Sequence, residues 1–348
     1  MRVFLVFAVA LVGLFPFEGA AHAGAAEVAA LLAGASVPGD DADPGRGGAL
    51  HRHNTAMSAR WERFDAKVGA PLGAWAKTHI EPAEQVFYPF SGPDFSTAHT
   101  VYPSAERYVL AGLEPAGRVP DLTGSAERLD QLLGIFRKGL ATFVKKGFFG
   151  TKEMRRSFER KQLVEGITGV LMLFAHHEGF TVSAVKPITV DAAGKVVASD
   201  SWDSVRLELD DHGRTVIVDY LQMDLSDGGL TKRPGATEFV LASSRAATFL
   251  KAASHLLQNR GFDVVRDAIV NHATSVLQDE TGVGYAALSA RFEVRLFGDY
   301  RRAHKLFGRR QGTLRDAYEA AKPEPLPFKI GYWKVAGSCL QYGHTRRQ

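Results

Sequence analysis

The sequence predicts an α/β (or α+β) fold: a mixed sheet with a βαβ core near 85–115, a central hairpin near 205–223, and many flanking helices. Three observations carry this. In "QVFYPFSGPDFSTAHTVYPSAERYVLAGLEP", residues 85–115, the β-rich run Val86-Phe87-Tyr88 breaks on Ser91-Gly92-Pro93-Asp94. A second run, Tyr108-Val109-Leu110, breaks on Gly112-Leu113-Glu114-Pro115, and a short helix fits between them over 95–102, giving a compact unit with parallel strands. In "VRLELDDHGRTVIVDYLQM", Val205, Leu207 and Leu209 alternate with polar residues, Asp211-His212-Gly213 makes the turn, and 215–223 is almost continuously apolar, as a central strand is. Elsewhere apolar residues recur at steps of three and four, the helical period.

Taken in order, residues 24–53 read as a flexible lead-in, because they contain the Gly-, Pro- and Asp-rich "SVPGDDADPGRGGAL". From Met57, the residues Trp61, Phe64, Val68, Leu72 and Trp75 mark one face of a helical segment (54–84), kinked or split at Pro71. After the βαβ unit, Leu129, Leu132, Leu133, Phe136, Leu140, Phe143 and Val144 form one stripe behind Ser125, a good N-cap. A helix from Leu163 to His177 stops at Gly179 and leads to a strand near 180–185. Beyond the hairpin, two long helices are expected over 244–259 and 262–278, parted by Gly261. A strand at 292–297, a helix near 313–321 and strands within "LPFKIGYWKVAG" follow. Residues 54–348 read as a single domain.

The first twenty-three residues read as a cleavable signal peptide. Arg2 forms a short basic region, Val3 to Phe15 an apolar one, and Ala21-His22-Ala23 the small-x-small cleavage pattern. The mature chain then starts at Gly24 in the periplasm or outside the cell, with no transmembrane span after cleavage. Hydrophobic residues make up 45% of the chain, which argues for a packed core rather than disorder. Cys339 is the only cysteine, so neither an intramolecular disulfide nor a multi-thiolate zinc site can form. The 42 basic residues barely exceed the 38 acidic ones, which permits weak contact with anionic surfaces and does not argue for nucleic acid.

Ligands of open parallel sheets sit outside the carboxyl ends of the strands, where both breaks of 85–115 fall. That makes Ser91, Asp94 and Glu114 candidates for catalysis and Gly92 a place for close ligand approach. In a nucleotide-binding βαβ, the position of Glu114 carries the acid that binds a ribose hydroxyl. However, GxGxxG is absent, and NAD, S-adenosylmethionine and ATP are cytoplasmic currencies, so no nucleotide cofactor is expected. "SGPD" is equally good turn and N-cap chemistry. In "NHATSVLQDETGVGY", Gln278, Asp279 and Glu280 before Gly282 are placed to close a crevice or offer oxygen ligands to a divalent metal. Asp224 and Asp227 in "LQMDLSDGGL" are weaker metal candidates, lacking EF-hand spacing. His51 and His53 fall in the lead-in, and His176-His177 end a helix, where the positive form would suit the dipole. The basic runs 151–161 and 301–310 read as solvated faces or as contacts with anionic envelope components.

The motifs "FYPFSGPD", "YVLAGLEPAG", "LKAASHLL" and "LQDETGVGY" resemble those of a family of uncharacterised secreted bacterial proteins, over about residues 85–341. The resemblance implies that Ser91, Gly92, Asp94, Glu114, Lys251, Gln278, Asp279 and Gly282 belong to shared motifs, and it implies no activity. The expected function is therefore an enzyme or small-ligand binder using an acidic crevice at the ends of two parallel strands. The alternative is a non-catalytic envelope protein that binds a partner or an anionic surface.

Overall fold

The computed structural model describes residues 24–36, 44–147, 163–303 and 312–345. The expected signal peptide, the basic run 151–161 and most of the run 301–310 lie outside the described residues. The strands are β1 (Gln85–Tyr88), β2 (Arg107–Gly112), β3 (Thr181–Val190), β4 (Val196–Ala198), β5 (Ser204–Asp211), β6 (Arg214–Gln222), β7 (Ala247–Leu250), β8 (Ser275–Gln278), β9 (Phe292–Gly298) and β10 (Cys339–Thr345). They form one ten-stranded mixed sheet in the order β4-β3-β5-β6-β2-β1-β7-β8-β10-β9. The five central strands, β6-β2-β1-β7-β8, are parallel, and the outer pairs are antiparallel.

The βαβ unit and the hairpin stand as the sequence predicts. Side chains of the central strands alternate between two apolar layers. Val86, Tyr88, Tyr108, Leu110, Val218, Tyr220 and Phe249 face one side, and Phe87, Val109, Ala111, Leu221, Leu250 and Val276 the other. A sheet buried on both faces explains the continuous apolar runs. The first layer is covered by α1 (Ala25–Ala33), α2 (Pro44–Phe64), α3 (Ala70–His79), α4 (Phe95–Val101), α5 (Ala126–Lys146) and α6 (Thr168–His177). The second is covered by α7 (Asp227–Leu230), α8 (Ala236–Ser243), α9 (Asp263–His272) and α10 (Tyr285–Arg291). At the far edge, Leu314 and Tyr318 of α11 (Gly312–Ala321) pack with Tyr300 and Cys339. Ser125 caps α5 by accepting from Arg128 N at 3.2 Å. No helix of the described residues is long and apolar enough to cross a membrane.

Three expectations need correction. Residues 24–53 are not a loose lead-in throughout: they hold α1 and the first half of α2, and Leu32, Leu50 and His53 are buried. Alanine-rich sequence forms helix readily, and its small side chains let α1 pack closely. The two long helices expected over 244–259 and 262–278 are instead β7, a turn of 3-10 helix, α9 and β8. "ATFL" and "SVLQ" are four-residue apolar runs, and periodicity cannot tell such a run in a central strand from a helix segment. The "LPFKIGYWKVAG" stretch holds no strand; Trp333–Ala336 is a short helix, α12, and the strand follows at β10. The helical segment is divided next to Pro71, as expected, with Pro71 in the first turn of α3. The irregularity falls just before it, at the π-helical Asp65–Gly69.

Candidate functional site

The chain visits β1, β2 and β6 in one direction across the sheet and β7 and β8 in the other, so strand order reverses between β1 and β7. Crevices open at the carboxyl ends of strands around such a switch point. The loops after β1, β2, β7 and β8 bring Asp94, Glu114, Lys251, Asp279 and Glu280 to this one edge, all buried.

Asp94 begins α4. Its Oδ1 accepts from Thr97 N at 3.4 Å and from Thr97 Oγ1 at 2.8 Å, the geometry of an N-cap. Its Oδ2 accepts from the Tyr88 hydroxyl at 3.1 Å and pairs with Lys251 Nζ at 2.5 Å. Lys251 comes from the end of β7 and also donates to Thr97 Oγ1 at 2.9 Å and to the Gly147 carbonyl at 2.8 Å. Burial, and then the Asp94 charge, push the Tyr88 hydroxyl well above its usual pKa of 10. Asp94 is therefore both a cap and half of a fully buried ion pair. Ser91 holds the turn: its hydroxyl donates to the carbonyls of Gly92 at 2.9 Å and Ala111 at 3.2 Å, which ties the first loop to β2.

Asp279 organises the next loop. Its Oδ2 accepts from Ala252 N at 2.7 Å, and its Oδ1 from Thr281 N at 2.9 Å and Thr281 Oγ1 at 2.5 Å. The loops after β7 and β8 are thus clamped together, with Thr281 Oγ1 also accepting from Ala253 N at 2.7 Å. Burial raises the Asp279 pKa, and burial together with the Asp279 charge raises that of Glu280 well above 4.5. Cys339 Sγ lies 3.6 Å from Glu280 Oε2, and burial likewise pushes this thiol up. Gln278 is a staple: its amide donates to the Val283 carbonyl at 2.7 Å and accepts from Val283 N at 2.9 Å. Gly282 is required beside it, since a side chain there would collide with Gln278 Oε1.

Glu114 differs from Asp94 and Asp279, whose carboxylate oxygens all accept hydrogen bonds. Its backbone carbonyl accepts from the Tyr220 hydroxyl at 2.8 Å, but its carboxylate Oε1 accepts no hydrogen bond from any described residue. The carboxylate lies where the first loop meets the end of β2. A Cβ built on Gly112 would lie 3.2 Å from both Glu114 Oε2 and Gly92 Cα, and 2.6 Å from the Tyr220 hydroxyl. Only glycine leaves room at position 112.

The remaining candidates have other work. Asp227 caps α9, accepting from Val264 N at 3.0 Å and Asp263 N at 3.2 Å, while Asp224 accepts from Ser226 N at 3.0 Å. Among the described residues no group of three or more His, Cys, Asp and Glu side chains is arranged to hold a metal ion. His53 is not in a mobile lead-in but buried against the Leu32 carbonyl at 3.0 Å, and burial lowers its pKa to about 4. His177 stacks on Trp61 with centroids 4.2 Å apart, and burial lowers it to about 3. Burial lowers His176 as well, so both favour the neutral ring rather than the positive form expected at a helix end. A groove of about 770 Å³ lined by Trp61, Ile80, Tyr102, His177 and Glu178 lies away from these loops, and its His99 Nδ1 is already paired with Glu178 Oε2 at 2.9 Å.

Sequence reasoning missed Tyr88, Thr97 and the backbone of the β7 loop. Thr97 was findable, standing three residues after a capping Asp. The β7 loop was hidden because "LKAASHLL" reads as helix. It holds three non-glycine residues with positive φ: Ala252 (54°), Ser254 (54°) and His255 (56°). Phe90, in the loop after β1, is the fourth at this edge (62°). Comparison of the chain with family models, with curated proteins and with solved structures gives no match.

Proposed function

We propose that this is an exported protein that binds a small molecule, as an enzyme or a ligand carrier, at the carboxyl edge of β1, β2, β7 and β8. The observation that carries the reading is where the backbone is strained. Six non-glycine residues among those described have positive φ, and four of them lie in the loops after β1 and β7, the strands flanking the switch point. Each such residue costs on the order of 1 kcal/mol or more, and strain of this kind concentrates where a ligand is held. The buried pair Asp94–Lys251 and the Asp279 clamp keep these loops in place, as rigid support for a binding site requires. Export is supported by the Arg2 to Ala23 pattern.

The test is a thermal-shift screen of the purified protein against ribonucleosides, monosaccharides, amino acids and divalent cations. Hydrogen exchange is then followed with each hit bound. At a hundredfold excess over Kd, a hit adds about 2.7 kcal/mol of stability. Protection should appear in residues 89–94 and 251–256. A screen without hits, or protection confined to other segments, would refute the site.

A further inference from the structure

In chain order, the parallel strands lie across the sheet as third, second, first, fourth, fifth (β6-β2-β1-β7-β8). That is the order of the doubly wound nucleotide-binding fold, in which an acid at the end of the second strand takes the ribose hydroxyls. Glu114 stands two residues past Gly112, the last residue of β2. We propose that Glu114 binds the ribose diol of a ribonucleoside seated over the switch point, an assignment that rests on the ligand site proposed above.

The side chain itself supports this. Glu114 is 2% exposed, yet its Oε1 has no hydrogen-bond donor among the described residues. A buried carboxylate oxygen without a donor is costly, and two adjacent hydroxyls on a ligand supply donors that a carboxylate accepts with both oxygens. Gly92, half-buried and packed against Gly112 beside it, carries no side chain to block the approach. Its chain neighbour Leu113 is 60% exposed, the most exposed large hydrophobic side chain among the described residues, and offers apolar surface for a base.

The rest of the ligand follows from the first loop. In dinucleotide-binding folds, glycine N–H groups of this loop meet the pyrophosphate. Here Pro93 has no N–H to give, and the Asp94 carboxylate is already taken up by Lys251, Thr97 and Tyr88. A 5′ phosphate would meet one donor fewer there, and a neutral 5′ substituent fits. The absence of GxGxxG and the exported location set nucleotide cofactors aside; the strand order and Glu114 restore the nucleoside part of such a ligand and leave out its phosphates.

Calorimetric titration tests this with adenosine, uridine, S-adenosylmethionine, 2′,3′-dideoxyadenosine, AMP and NAD, on wild type and on Glu114→Gln and Leu113→Ser. At least one of the first three should bind wild type, and dideoxyadenosine and the phosphates at least tenfold more weakly. Glu114→Gln, nearly identical in shape, should lose at least tenfold in affinity for the ribonucleoside. Leu113→Ser, at a position 60% exposed and outside the core, should lose a few-fold. If a sugar or amino acid from the wider screen protects residues 89–94 and 251–256 while no ribonucleoside binds, the ribose assignment falls and the site stands. If a ribonucleoside binds but neither dideoxy substitution nor Glu114→Gln weakens it, Glu114 is not the ribose acid. If nothing binds, both readings fall.

Discussion

The two ends of β2 treat a buried carboxylate in opposite ways. At the amino end, Asp219 of the neighbouring β6 is fully buried and accepts four charge-assisted hydrogen bonds. Two come from Arg107 (Nε 3.1 Å, Nη2 2.6 Å) and two from Arg206 (Nε 2.7 Å, Nη2 2.9 Å). At the carboxyl end, Glu114 is as deeply buried, but its Oε1 has no donor among the described residues. Burial alone therefore does not separate a structural acid from a functional one. Hydrogen bonding does: a carboxylate clamped by two planar guanidiniums is complete within the fold, and one whose Oε1 has no donor among the described residues can still take one from a ligand. Asp94 belongs with Asp219 by this measure, since Lys251, Thr97 and Tyr88 already fill its coordination.

The largest effect is expected at the satisfied end. Asp219→Ala leaves two guanidiniums facing each other across β2, β5 and β6. It should cost about 3 kcal/mol, at the lower end for a broken buried ion pair because the arginine side chains are about a third exposed and can turn to water. Urea denaturation measures it. A loss below about 1 kcal/mol would mean that full hydrogen bonding does not mark a structural acid here, and the contrast with Glu114 would lose its meaning.

The difference in legibility between parts of the chain has the same root. The βαβ unit and the β5–β6 hairpin could be read because turn residues such as Ser91-Gly92-Pro93-Asp94 and His212-Gly213 punctuate them, and these signals are local. The strands β7 and β8 could not be read. Their apolar character comes from sheet neighbours on either side, and four residues are too few to show a period. That error also concealed the switch point, which exists only once β7 is seen beside β1. Glu114 was legible as a candidate from its place after a strand. Its lack of donors was not, because it depends on how Gly92, Gly112 and Tyr220 surround it.

A second prediction concerns pH at the carboxyl edge. Burial raises the folded pKa of Asp279 above 3.8 and that of Glu280 well above 4.5, the latter further raised by the Asp279 charge. The unfolded chain releases these protons first. Stability from the protonated pair is thus fully present below the unfolded values and is lost as pH rises toward the folded ones, at up to about 1.4 kcal/mol per proton per pH unit. Glu280→Gln cannot ionise and should escape its share of that loss. Thermal unfolding from about pH 5 to about pH 8 should show the variant gaining on wild type as pH rises. A constant difference would mean that Glu280 titrates alike in the folded and unfolded chains.

The smallest expected effect is the most discriminating. Without ligand, Glu114→Gln should leave stability unchanged or raise it by up to about 1 kcal/mol, because Oε1 has no hydrogen bond from the described residues to lose. The hydrogen bond from the Tyr220 hydroxyl to the residue 114 carbonyl at 2.8 Å is made by backbone and survives the change. The amide also matches the carboxylate in volume, so no cavity forms and Gly112 keeps its clearance. Any large loss must then come from the charge itself. Urea denaturation of wild type and variant, run side by side without ligand, decides it. A loss of more than about 1 kcal/mol would mean that the carboxylate is already holding the fold together, as Asp219 does at the other end of β2, and that it is not waiting for a ligand.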